Sequence, residues 1–180
     1  MAYTISHTID DCIDALAAFV SPFVPNAEMV RAQQNRVPHV PAIGVVFTEL
    51  LTADLETPTL KFANGEYTIS TPKRLDVQLD FYGELADDQC NAVKTAYRTF
   101  WSTDQFPAWI KPMYCSDGVQ APFISGESQY YNRWTMTVSL QFNSTLTVPQ
   151  DSANQIAMMV SQGNAQAGIT GETGLVGVIA

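Results

Sequence analysis

The side chains able to do nucleophilic, metal or acid–base chemistry in this sequence are few, and their spacing groups almost none of them. His7 and His39 are the only histidines; the first sits at the start of a predicted helix and the second between Pro38 and Pro41. A metal site needs several ligands at a workable spacing, and no such spacing surrounds either histidine. Cys12, Cys90 and Cys115 are far apart and odd in number. Nothing ties any of them to a histidine as a thiolate–imidazole pair requires. We read them as reduced, buried, small apolar residues of a protein made in the cytoplasm. Asp87 and Asp88 are adjacent carboxylates, but acids at a helix start are accounted for by the exposed amides there. Asp76 and Asp80 alternate along one strand face, where a solvated or subunit-facing surface explains them more simply than a bound cation. Tyr130, Tyr131, Arg133 and Trp134 offer a stacking platform for bases or sugars; core and edge packing is the commoner use of such a group. The sequence holds no GxSxG, P-loop, HExxH or CxxC motif.

The elements that would position these residues are easier to read. From Tyr130, the residues Tyr130, Trp134, Met136, Val138, Leu140 and Phe142 share one parity with the polar Asn132, and Tyr131, Arg133, Thr135, Thr137, Ser139 and Gln141 share the other. Side chains in a strand alternate faces, so residues 128–147 form one long strand with a buried and a wet face. Residues 73–83 have the same design: Leu75, Val77, Leu79 and Phe81 alternate with Asp76, Gln78, Asp80 and Tyr82, and Gly83 ends the run. A further strand is predicted over 42–52, with Ile43, Val45 and Phe47 on one face. Around the turn pair Asn64-Gly65, LKFA and EYTIS read as the arms of a hairpin that projects.

Two helices are predicted. The first covers 8–20, with Thr8 as N-cap, Asp10 and Asp11 in its first turn and Pro22 and Pro25 behind it. The second covers 85–101, with Ala86, Cys90, Val93, Tyr97 and Phe100 as its apolar stripe. Residues 26–41 read as extended or irregular chain, and Pro107, Pro112 and Pro122 make 105–127 loops and short edge strands. Together these give an α+β fold, an antiparallel sheet with two helices packed on one face.

The chain has 180 residues, 46% of them hydrophobic and 15% charged, enough for one core and too little for two ordinary domains. We assign residues 1–150 to a single domain and 151–180 to a Gly-rich arm. The arm has no aromatic residue and only two charges, Asp151 and Glu172. It is either a frayed tail or an arm that orders against a neighbour, since Leu175, Val176, Val178 and Ile179 form an apolar end. The formal net charge is −9, with basic residues scattered, which argues against nucleic-acid binding through a basic patch. No run of about 18 apolar residues is present, and the N-terminus lacks the pattern of a secretory signal.

Four segments in order, QNRVPHVPAIGVVF, RLDVQLDFYGELADDQCNAV, APFISGESQYYNRWTMTVSLQFN and TVPQDSA, resemble the neck or tail terminator proteins of long-tailed bacteriophages. The resemblance spans roughly residues 8–155. Its most specific pieces are Asp80-Phe81-Tyr82-Gly83 before a helix, and Gln129-Tyr130 followed by Arg133-Trp134. It implies a structural virion protein rather than an enzyme, needing no cofactor or metal. It implies a ring, a homohexamer, that ends the tail tube at the neck and joins it to the head–tail connector, with the tail sheath a further neighbour. Genomic DNA would pass through without specific binding, and no membrane is involved. Another head–tail connector or tail-tube ring protein is the alternative, and a soluble binding module a more distant one. Within a ring, Arg31, Arg36, Arg74 and Arg133 are candidates for the subunit interface and Asp76, Gln78 and Asp80 for the channel lining. The hairpin residues Leu60, Phe62, Asn64, Gly65 and Tyr67 are candidates for docking to a ring above or below.

Overall fold

The computed structural model describes residues 3–32, 41–124 and 130–149. In chain order the elements are β1 (Thr4–Ser6), α1 (Ile9–Val20), β2 (Glu28–Arg31), β3 (Gly44–Asp54), β4 (Thr59–Ala63), β5 (Glu66–Tyr82), α2 (Ala86–Tyr97), α3 (Phe100–Gln105), β6 (Ile110–Cys115), β7 (Val119–Gln120), β8 (Phe123–Ile124), β9 (Tyr130–Tyr131) and β10 (Arg133–Pro149). The fold is α+β, as the sequence predicts, with helices on one face of a large sheet and a separate two-stranded β8–β9 pair; the large sheet is mixed where an antiparallel one was expected, because β2 joins β3 in parallel. Its path is β1-β10-β5-β3-β2, with β4 added to β5, and β6 and β7 added to β10. All pairings are antiparallel except β2 with β3. The predicted two-helix cover becomes three helices, for a reason given below.

The sheet is built on β5 and β10, each 17 residues long and paired without a slip from Arg133↔Tyr82 to Pro149↔Glu66. The alternation puts Leu75, Val77, Leu79 and Phe81 of β5 beside Met136, Val138, Leu140 and Phe142 of β10 on one buried face. That face meets Cys12, Ile13, Leu16, Phe19 and Val20 of α1 and Ala86, Cys90, Val93 and Tyr97 of α2. A fully buried Leu or Phe of this kind stabilises the fold by roughly 1.5–3 kcal/mol relative to exposure.

The hairpin arm EYTIS and the strand predicted over 73–83 are one continuous strand, although Pro72 lies between them. The Pro72 carbonyl accepts the Leu55 amide at 2.9 Å, so the side of β5 facing β3 and β4 is the side on which Pro72 lacks an N–H. That position falls where β3 has ended at Asp54 and β4 has not begun, and no ladder bond is lost. The Asn64-Gly65 pair has positive φ at both residues (55° and 80°), the two-residue turn that matches strand twist. The long strand predicted over 128–147 starts at Arg133. Asn132 interrupts it by turning its amide Nδ2 onto the Gly83 carbonyl (3.1 Å), and Gly83 has a φ of 124° that suits only glycine.

Helix α1 starts where the sequence places it. Thr8 and Asp11 form a reciprocal cap, the Thr8 amide donating to Asp11 Oδ2 (2.7 Å) and the Asp11 amide to Thr8 Oγ1 (3.3 Å). The second predicted helix is two. After Tyr97 the Thr99 hydroxyl donates to the Ala96 carbonyl (2.7 Å) and the Ser102 hydroxyl to the Tyr97 carbonyl (3.0 Å). These side chains satisfy the last carbonyls of α2, and the backbone turns extended at Thr99. Phe100 therefore leaves the stripe assigned to it and is 82% exposed. Ile43, read as the first core residue of its strand, is also exposed and lies just before β3. Within residues 26–41, read as extended or irregular chain, Glu28–Arg31 form β2.

Gly44 is where β2 and β3 meet. A Cβ there would lie 2.6 Å from the Glu28 carbonyl oxygen and 2.5 Å from Pro41 Cγ. Gly44→Ala should cost roughly 1–3 kcal/mol as an overpacked site. Urea unfolding followed by circular dichroism checks it: the expected result is a lower midpoint with an unchanged m-value.

Candidate functional site

Two surfaces of the sheet carry the residues that the sequence singles out. The first is the face opposite the helices. Alternation sets Arg74, Asp76, Gln78 and Asp80 of β5 on that face, next to Arg133, Thr135, Thr137, Ser139 and Gln141 of β10. Asp76 accepts from an Arg74 NH2 group (3.1 Å) and from Ser139 Oγ (2.7 Å). Asp80 accepts from Gln78 Nε2 (2.9 and 3.0 Å) and from the Arg133 guanidinium (2.9 Å). The residue Asp80 is only 4% exposed. Burying a carboxylate is tolerable only with such partners. Two arginines and two aspartates thus sit on this face as two internal ion pairs with no net charge between them.

The sequence candidates therefore divide. Arg74 and Arg133 are held by carboxylates of their own strand pair, and Arg31 is held by Asp10. The Arg31–Asp10 pair is solvent-facing and worth about 0–1 kcal/mol. Arg36 lies outside the described residues, as do His39 and the side chains of Tyr130 and Tyr131. Asp76, Gln78 and Asp80 form one connected patch. Among the described residues no three of His, Cys, Asp and Glu come close enough to hold a metal ion. His7 stacks on Trp109 at 4.2 Å between ring centroids, which gives it a packing role.

The cysteines are free and buried. Burial pushes the Cys12 thiol up to about 12 and the Cys90 thiol up to about 11, with Asp11 adding to the first and Lys94 opposing the second. At neutral pH both are protonated and poor nucleophiles. The Tyr97 phenol is likewise pushed up by burial, and it donates to the Ser139 carbonyl at 2.7 Å. That bond ties α2 to β10 at the point where the register to β6 shifts.

The second surface is the far end of the long strand pair. Beyond Thr71 and Ser144 the sheet continues as β1-β10-β5-β4, past the end of the helical layer. On the helix-side face, register aligns Ile5, Leu146, Ile69 and Leu60 in one row across four strands. The next row aligns Val148, Tyr67 and Phe62, whose Tyr67 and Phe62 rings lie 4.9 Å apart. Leu60 is 60% and Phe62 50% exposed. The opposite face of the same extension is hydroxyl-rich, with Thr68, Ser70, Thr145 and Thr147. The predicted hairpin is thus the outer arm of a four-stranded, two-faced extension.

Sequence reasoning missed two more apolar surfaces. Phe100, Met113 and Tyr114 flank a groove between α3 and β6, with Trp101 exposed on the same short helix. Its only sequence signal is the Thr99 and Ser102 hydroxyls that end α2 early. Pro25, Ile43, Leu85 and Asn132 line a pocket of about 560 Å3 beside Gly83. Asn132 Oδ1 is buried there without a hydrogen-bond partner among the described residues.

An α+β unit whose singled-out residues form internal ion pairs and exposed apolar faces is suited to contact with other proteins. The family of phage neck terminator proteins matches residues 10–164, most of the chain, and the chain belongs to that family. No curated protein matches it. The chain is accordingly a structural component of a phage virion that associates with other tail and neck proteins. Among the described residues no helix is long and apolar enough to cross a membrane.

Two predictions follow from this geometry. Asp80→Ala leaves the Arg133 guanidinium half-buried and unpaired, and should cost about 3 kcal/mol, the lower end for a buried pair because Arg133 keeps some solvent. Asp80→Leu combined with Arg133→Met should recover most of that loss, measured as urea midpoints in a double-mutant cycle. The thiol shifts give a pH dependence of definite sign. Both folded pKa values lie above the ordinary thiol value of 9. Their stabilisation is complete below about pH 9 and is lost as pH rises toward 11–12. Iodoacetamide at pH 8 should leave Cys12 and Cys90 unmodified in the folded protein and label them after unfolding, read by intact mass.

Proposed function

We propose that the chain assembles into a closed homohexameric ring at the phage neck, seated on the end of the tail tube. The ring ends tube growth and presents the surface that joins the tail to the head–tail connector, with the tail sheath outside it where one is present. Genomic DNA passes through its centre without specific binding. The protein is made in the host bacterial cytoplasm and acts in the virion. The observation that carries this reading is the family match over residues 10–164.

The geometry supports it in one respect. A ring needs a heterologous interface, one surface meeting a different surface of the next copy. The described residues carry distinct apolar surfaces in different places: the Phe100–Tyr114 groove, the Ile43–Leu85 pocket and the distal sheet face. Large exposed apolar patches of this kind mark interaction sites. We assign the Phe100, Met113 and Tyr114 surface to the contact between neighbouring copies. Arg36 remains a proposed cross-subunit partner. Arg31, Arg74 and Arg133 would have to exchange an internal carboxylate for an external one, which gains little.

The channel lining by Asp76, Gln78 and Asp80 remains a proposal in altered form. A wall made of this face presents ion pairs and hydroxyls, polar but without excess negative charge. Repulsion of phosphate would then come from the remaining acidic residues of a chain at −9. The hairpin tip at Asn64 and Gly65, with the open edge of β4, is the proposed contact to a ring above or below.

Native mass spectrometry of the purified protein, with electron microscopy of it on tail tubes, tests the reading. One hexameric ring at one end of each tube is the expected result. A monomer that never caps a tube overturns it. Phe100→Asp with Tyr114→Asp should abolish ring formation while leaving the circular dichroism spectrum unchanged. Intact rings in that double variant would remove this surface from the interface.

A further inference from the structure

We propose that the bare helix-side face of the distal sheet is the seat of the chain's own C-terminal segment, through the apolar run at residues 156–160. This goes beyond the ring reading and does not require it. Over the rest of that face α1 and α2 cover the sheet; past Thr71 and Ser144 no described element does, yet the alternation stays apolar for two more rows. A sheet with one apolar face and one hydroxyl-rich face has a side to be covered and a side to be left in water.

The occupant is indicated by where the described chain ends. The backbone leaves at Pro149, opposite Glu66, one residue beyond Val148 of the bare face. Residues 150–180 follow, and the first apolar run in them is Ile156-Ala157-Met158-Met159-Val160. Residues 150–155 can span about 20 Å when extended. The four-stranded extension is about 15 Å wide at ~4.8 Å between strands. The run therefore reaches any part of the face of its own copy. So short a tether holds it there at an effective concentration in the millimolar range, ahead of any free competitor.

The chemistry agrees with the reach. The bare face carries no charged side chain in its two rows, and the run has none either. Ile156, Met159 and Val160 recur at the three-and-four spacing that the apolar residues of α1 show, the element covering the adjoining part of the face. Methionines suit an irregular seat such as one formed by Leu60, Phe62, Tyr67 and Leu146.

The test uses the full chain with Phe62 replaced by photoreactive benzoylphenylalanine, as an equal mixture of 14N and 15N copies. Cross-linked peptides are mapped by mass spectrometry. The expected product joins position 62 to the peptide holding residues 156–160 within one isotopic form. A product that maps elsewhere, including to the Phe100–Tyr114 surface, overturns the proposal, as does one that joins the two forms. A second arm needs no probe on the sheet. Ile156→Asp with Met159→Asp in the full chain should raise anilinonaphthalene sulfonate fluorescence several-fold and speed amide exchange in β4. Unchanged fluorescence and exchange overturn the proposal. Neither arm depends on ring formation, so a failure here is distinct from a failure of the ring.

Discussion

The antiparallel ladder between β5 and β10 determines the direction of every side chain along both strands, and the remaining elements are arranged around it. Because it runs from Arg133↔Tyr82 to Pro149↔Glu66 without a bulge, one parity faces the helices over the whole length. A slip of one residue would send Leu75, Val77 and Leu79 to the wet side and bring Asp76 and Asp80 into the core. The bulges of the sheet fall instead on the flanking pairs, between Glu49 and Leu51 in β3 and between Ser139 and Leu140 opposite β6. The flanks absorb the irregularities, Pro112 among them, and leave the central pair regular.

On the face away from the helices the same ladder sets Arg133 beside Asp80, while Arg74 pairs with Asp76 along β5. The hydrogen bonds that Gln78 and Ser139 give to Asp80 and Asp76 complete the shells of two carboxylates that would otherwise be costly to bury. The two contacts that cross strands, Arg133 to Asp80 and Ser139 to Asp76, add specificity of register, since a shifted strand would break both. The pairing also leaves the two arginines and two aspartates without net charge between them.

The contrast between the two halves of the ladder has a functional meaning. In one half the helices complete a core in which the Phe19, Tyr97 and Phe106 rings pack on one another. In the other half the strands run on past their cover, and a four-stranded platform presents an apolar surface. An assembly protein gains from this arrangement. The helix-covered half holds the core, and the platform offers apolar surface on which another segment can be buried.

Much of this was legible in the chain itself, where the cause is local. Period-two alternation determined both long strands and their buried parity, the Asn64-Gly65 pair determined the turn, and Thr8 with Asp11 determined the start of α1. These depend on neighbours in sequence, so sequence suffices. Tertiary structure decided what depends on residues far apart. It merged the hairpin arm with the strand after Pro72, because the missing amide happens to face a gap between β3 and β4. It split the second helix and turned Phe100 outward, because the Thr99 and Ser102 hydroxyls took over the carbonyls that a longer α2 would have used. It converted Arg133 from a free cation into an internal partner, because register, which no single strand records, sets it beside Asp80; Arg74 pairs with Asp76 two residues along its own strand. Periodicity specifies which face a residue takes; only the folded chain specifies what stands opposite it.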